Sequence, residues 1–319
     1  MDLESPMNRF LEHLSFCAGV FTLFLVGFGT TASARAEVRV VASVPSLGAL
    51  AQEVGGDLVH VDTLAAPNQD PHFVDARPNF VLLLHRADLL VQVGLGLEVG
   101  WLPALLTNSR NAAIQLGRPG NLDTSTVCGP LLGVPQGAVD RSMGDVHPGG
   151  NPHFLYDPAY ALRVAQGIAD RLSSLDSAHA ATYQANYHAF QRRLQAKMTE
   201  WQHLTAPYHG QKFVAFHEST IYLAQFLGLR EAGFIEPQPG ISPNPRHLAQ
   251  IILSMRHDGV HLVLGEPWYD AETSRVVAER ANASLVRLPG DVGANGVHSY
   301  IELLDHIVRS ITQALASHG

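Results

Sequence analysis

Cysteine is almost absent from this sequence. Only Cys17 and Cys128 carry thiols among 319 residues. Cys17 sits inside an apolar leader, so the chain left after processing holds one thiol and can form no internal disulfide. Charge is scarce as well, at 16% of residues, while hydrophobic residues make up 46%, which excludes extensive disorder and predicts a well-filled core. Positive charge is the scarcer sign, 21 Lys and Arg against 29 Asp and Glu, for a net charge of −8. Nucleic acid is therefore excluded as a partner, since it selects a basic footprint. The most apolar run, Leu14 to Gly29, falls short of the ~20 residues that cross a bilayer comfortably. No His-Glu-x-x-His occurs, so the helix-borne signature of a zinc hydrolase is missing.

What the N-terminus does have is an export signal. The run from Leu14 to Gly29 leads into Ala34-Arg35-Ala36, the small-x-small pattern of a signal-peptidase site. Asp2 and Glu4 are foreign to such a leader, whereas Met7-Asn8-Arg9-Phe10 suits it. Residues 1–36 are read as a signal peptide, with translation starting at Met7 and the mature periplasmic chain at Glu37.

Beyond Glu37 short apolar runs alternate with helical stretches, the pattern of a parallel α/β fold. Strands are predicted at 38–44, 58–64, 88–93 and 112–116, with helices at 46–54, 78–86 and 97–106 between them. Residues 117–150, rich in Gly, Pro and Asp, read as one long irregular excursion. Tyr183, Tyr187, Phe190, Leu194, Met198 and Trp201 then recur at steps of three or four, a long amphipathic helix ended by Pro207. Alternation resumes with strands at 212–216, 260–264 and 284–288 and helices at 219–227, 245–257, 271–282 and 297–316. The expectation is two Rossmann-like α/β lobes with parallel sheets, 37–176 and 207–319, joined by one long rigid helix, 177–206. Ligands sit in the cleft such lobes leave between them.

Two tripeptides echo each other, Asp70-Pro71-His72 and Asn151-Pro152-His153. Proline fixes its own φ and holds the residue before it extended, so each histidine starts from a stiff backbone, as a metal ligand requires. Either tripeptide alone is an ordinary loop; the pair points to chemistry. His217 follows the strand 212–216, and Asp291 follows the strand 284–288; the C-terminal ends of strands are where α/β sheets gather functional side chains. Three imidazoles and one carboxylate form a tetrahedral N₃O set suited to Zn²⁺, whereas manganese or calcium would draw more oxygen. Glu266, at the end of the strand Val260 to Gly265, is the second candidate carboxylate should Asp291 fail. His147 is the one extra histidine nearby, read as solvent-exposed in preference to an auxiliary or capture ligand. A zinc-dependent hydrolase is the enzyme alternative, with Glu218 or Glu266 as base, but four protein ligands would close the position its water needs. Gly94-Leu95-Gly96 is too irregular for a dinucleotide fingerprint, and haem, cobalamin or an iron chelate would need a wide aromatic cleft.

These segments together resemble the cluster A-I metal-binding proteins of bacterial ABC importers, the zinc/manganese solute-binding group. The resemblance runs over essentially all of Val38 to Leu315. It is carried by Asp70-Pro71-His72, Ala87 to Glu98 with Trp101-Leu102, Asn151-Pro152-His153 with Asp157-Pro158, Tyr183-x-x-Asn186, and Phe216-His217-x-x-x-x-Tyr222. It implies two lobes bridged by a long helix, a metal at their interface, and His72, His153, His217 and Asp291 as ligands. It also implies a non-enzymatic, monomeric carrier that hands Zn²⁺ to an importer permease in the inner membrane; whether a periplasmic metal chaperone loads the site is left open by the sequence. Histidine at position 217 favours zinc over the manganese- or iron-binding members of the group. The histidine-rich loop of many zinc-binding members is missing here.

Overall fold

The computed structural model describes residues 37–137, 139 and 144–317; the predicted signal peptide lies outside them. Two four-stranded sheets, all parallel, carry the fold. The first comprises β1 (Val38–Ala42), β2 (Val59–Thr63), β3 (Leu89–Gln92) and β4 (Asn121–Asp123), in the order β2-β1-β3-β4. The second comprises β5 (Lys212–Ala215), β6 (Arg230–Phe234), β7 (Leu262–Gly265) and β8 (Ser284–Arg287), in the matching order β6-β5-β7-β8. Helices α1 (Pro45–Gly55), α2 (Pro78–Arg86) and α3 (Leu102–Ser109) belong to the first lobe. Helices α6 (Ile221–Leu227), α7 (Pro245–Asp258), α8 (Ala271–Ala281) and α9 (Tyr300–Ala316) follow in the second.

The central strands are apolar on both faces because helices cover both. Val40, Val41, Leu89, Leu90 and Val91 in the first sheet, and Val214, Leu262 and Val263 in the second, are all buried. Proline starts α1, α2, α4 (Pro158–Leu175) and α7, where its fixed φ and missing N–H cost nothing. Asp157, Asn244, Asp270 and Ser299 cap α4, α7, α8 and α9 through their side chains.

Between the sheets runs α5 (Ala180–Thr205), 26 residues and so about 39 Å long. It buries Tyr183, Tyr187, Phe190, Leu194 and Trp201, the stripe that the spacing predicts. This face packs on α1 of the first lobe and on α9 of the second. Its indole and ammonium anchors reach Asp305 of α9, from Trp201 Nε1 at 2.9 Å and Lys197 Nζ at 3.1 Å. One continuous apolar core thus joins the lobes along this side, leaving the cleft to open elsewhere.

Four expectations need correction. The predicted strand 112–116 is a 3-10 turn at Ala112–Ile114, bent because the Asn111 side chain accepts from Ala113 N and donates to the carbonyls of Leu84 and Ala87. The fourth strand, β4, lies instead inside the stretch read as irregular. Its polar Asn121 disguised it, yet that amide is buried and bonded to Gln92 and to Ile114 O. Strand β6 was not anticipated, since an edge strand reading Arg-Glu-Ala-Gly-Phe, with a register irregularity opposite Phe213/Val214, shows no alternation. The helix expected from Leu97 starts at Leu102, because Glu98 turns inward to accept from Ser43 Oγ, Val93 N and Gly94 N.

Candidate metal centre

The loops leaving the C-terminal ends of all eight strands supply the cleft. His72 follows β2, Leu95 follows β3, His147 and His153 follow β4, His217 follows β5, Glu236 follows β6, Glu266 follows β7 and Asp291 follows β8. This is the crevice that open α/β sheets offer to ligands, here doubled by two sheets sharing one cleft.

The echoing tripeptides fold alike. Asp70 Oδ1 accepts the amide of His72 at 2.9 Å, and Asn151 Oδ1 accepts the amide of His153 at 2.9 Å. Each is an Asx turn tightened by the intervening proline. Trp101 Nε1 pins the first turn through the carbonyl of Pro71, at 2.9 Å. Asp70 also holds the ring, with Oδ1 2.7 Å from His72 Nδ1. Burial would raise the Asp70 carboxyl, but its bonds to His72 and the charge of His217 hold it below the ordinary range.

His217 is fixed in the same manner from the other lobe. Its Nδ1 lies 2.7 Å from Glu236 Oε2, both side chains being buried. Burial opposes charging of this imidazole, yet Glu236, Glu266 and Asp70 together raise its pKa. His153 has no such counter-ion, and burial and its histidine neighbours push it well below the ordinary value. Its Nε2 is buried without a hydrogen-bond partner among the described residues.

The three rings converge. One nitrogen each from His72, His153 and His217 lies within 4.8 Å of the others, with ring centroids 5.3, 5.5 and 5.6 Å apart. Tetrahedral Zn–N bonds of 2.0–2.1 Å put ligand nitrogens about 3.3 Å apart, so closure on an ion needs only a small inward movement. Asp291 is placed differently. It lines the same cavity, but its Oδ1 accepts from the hydroxyl of Ser46 and from Val292 N, and its own amide donates to Pro67 O at 2.8 Å. It is not part of the three-nitrogen group and ties the lobes together instead. Glu266 accepts from Ser219 Oγ, and its Oε2 is buried without a partner among the described residues. Burial raises both carboxyls. Unpartnered polar atoms on His153 and Glu266, both lining one small cavity, are what a bound cation would satisfy.

The cavity measures about 80 Å³, room for an ion and a few waters but not for a haem or cobalamin. His147, expected in solvent, is half-buried against His72. Sequence reasoning missed Glu236 because it ends the unrecognised strand β6. Tyr269, whose ring lies 5.6 Å from His217, was missed too, and no pattern in the sequence signals it.

Residues 40–314 match the family model described as zinc-uptake complex component A, periplasmic (ZnuA). The high-affinity zinc uptake system protein ZnuA of Paracoccus denitrificans is 30% identical, over 90% of this chain and 94% of the relative. The iron-binding protein YfeA of Yersinia pestis is 23% identical over 98% of this chain and 97% of its own. A crystal structure of ZnuA superposes with a TM-score of 0.73 at 26% identity, covering 87% of this chain and 99% of that one. A manganese-bound periplasmic metal-binding protein from Candidatus Liberibacter asiaticus shares the fold, with a TM-score of 0.69 at 20% identity, over 88% of this chain and 100% of that one. With two lobes, a shared histidine-lined cleft and a family match over nearly all of the described fold, the chain belongs to the family of the periplasmic zinc-uptake complex component A.

Proposed function

We propose that this chain captures Zn²⁺ in the periplasm and delivers it to the permease of an ABC-type importer in the inner membrane, catalysing no reaction itself. In this reading residues 1–36 direct export, and lobes 37–176 and 207–319 flank the linking helix 177–206 of a monomeric carrier. His72, His153 and His217 are the nitrogen ligands. Asp291 and Glu266 line the cavity as the carboxylates that offset the charge of the ion. The supporting observation is the convergence of three imidazoles from two lobes, two of them anchored through Nδ1 by carboxylates so that Nε2 is free for a metal.

Nitrogen donors favour zinc, while the two carboxylates are the feature that would suit manganese or iron. Competition decides between them. The purified chain is titrated with Zn²⁺ against a chromogenic chelator, with and without excess Mn²⁺. One zinc per chain, undisturbed by manganese, is the expected result. His153→Ala and His217→Ala should each weaken zinc binding at least roughly tenfold by removing a direct ligand. No zinc uptake by the parent protein, or unchanged affinity in both variants, refutes the proposal.

A further inference from the structure

We propose that His147 is itself a zinc ligand, closing the site as a fourth imidazole from the loop that precedes His153; this rests on the zinc-binding reading above. The first observation is a distance. His147 Nε2 lies 3.3 Å from His72 Nε2, which equals the ligand-to-ligand edge of about 3.3 Å in a tetrahedral zinc site. The rings are 5.4 Å apart and inclined by 34°, neither stacked nor edge-on.

The second observation is where the protons must be. His147 Nδ1 lies 3.0 Å from the carbonyl of Leu95, which can only accept, so Nδ1 carries the hydrogen. His72 Nδ1 likewise faces the carboxylate of Asp70 at 2.7 Å and carries its own. With both Nδ1 atoms committed, the two Nε2 atoms face each other at 3.3 Å, placed so that one cation could accept a lone pair from each. His217 is oriented the same way by Glu236. Three rings thus have Nδ1 committed to an acceptor and Nε2 free, and His153 Nε2 is buried and unpartnered.

Third, the backbone is built to hold His147 there. Gly94, Leu95 and Gly96 all adopt positive φ, at 87°, 56° and 85°, which turns the Leu95 carbonyl toward the ring. On the other side Asp145 N donates to Pro239 O at 2.9 Å, in the segment whose Gly240 N donates to Glu236 Oε2 at 3.1 Å. Residues 145–147 therefore touch one lobe through Leu95 and the other through Pro239. His147 abuts the His72 corner of the group His72, His153 and His217, so that His72 Nε2 links it to the three nitrogens that already converge.

The test uses the full mature chain, with Zn²⁺ and Co²⁺ as probes. His147→Ala should lose at least roughly tenfold in zinc affinity while its metal-free melting temperature stays that of the parent. His147→Cys loaded with Co²⁺ should gain a thiolate-to-cobalt charge-transfer band, which only direct ligation produces. Zinc affinity of His147→Ala equal to that of the parent, or no such band in His147→Cys, overturns the assignment. Because the parent must first bind zinc, its failure to do so would sink the functional reading, whereas an indifferent His147 sinks only this one.

Discussion

Glu236→Gln isolates what a second carboxylate contributes to metal capture. Glu236 touches no ion in the proposed site; it accepts from His217 Nδ1 at 2.7 Å and from Gly240 N at 3.1 Å. The His217 and Glu236 side chains are only 4% and 7% exposed, so water screens the pair weakly. Glutamine keeps the shape and one acceptor but removes the charge. A charge-assisted hydrogen bond contributes about 1.5–3 kcal/mol against about 1 for a neutral one, so the variant loses roughly 1–2 kcal/mol of support for the imidazole as ligand. This corresponds to a fall in zinc affinity of about five- to thirtyfold, overlapping the lower part of the usual range for partners of metal-bound histidines. Competitive chelation at pH 7 measures it. The pH profile checks the cause. His217 has a raised pKa, so protons compete with zinc over a window reaching above the ordinary imidazole value near 6.5, and removing Glu236 should lower that window. In the metal-free protein the pair stabilises the fold fully below that ordinary value and fades as pH rises through the raised one. Parent-like zinc affinity together with a parent-like pH profile in Glu236→Gln would show that the pair does not act on the metal.

Two further outcomes follow from the same geometry. Zinc should raise the melting temperature, since the unfolded chain lacks the assembled site, by about 2.7 kcal/mol of stability at one hundred times Kd; equal stabilisation by manganese would remove the zinc preference. Asp305→Asn should destabilise the junction of α5 and α9. Burial would raise this carboxyl, but bonds from Arg309, Trp201 and Lys197 bring it to about 2, and with its side chain 25% exposed the difference amounts to roughly 1–2 kcal/mol. The folded pKa is the depressed one, so this contribution is complete above about 4 and lost as pH falls toward 2; urea melts at pH 7 and pH 2.5 should show a gap that narrows, and a constant gap contradicts the assignment.

Local physics made much of the molecule legible in advance. The stripe Tyr183, Tyr187, Phe190, Leu194 and Trp201 announces α5 because helix periodicity is written into spacing alone. His72 and His153 stand out because an Asx residue and a proline suffice to shape their turns. Strands β4 and β6 escaped because their polar or half-exposed residues gain partners only across the sheet, as Asn121 does with Gln92. Glu236 escaped with β6.

Elements and stiff histidine-bearing turns could therefore be read from order along the chain, where the causes lie within a few residues of their effects. Which atoms meet in the cleft could not. The bond between Asp291 and Ser46 spans 245 positions, and His147 reaches His72 across 75. Such pairings exist only after helices of both lobes pack on α5 and the strand ends turn toward one shared cavity.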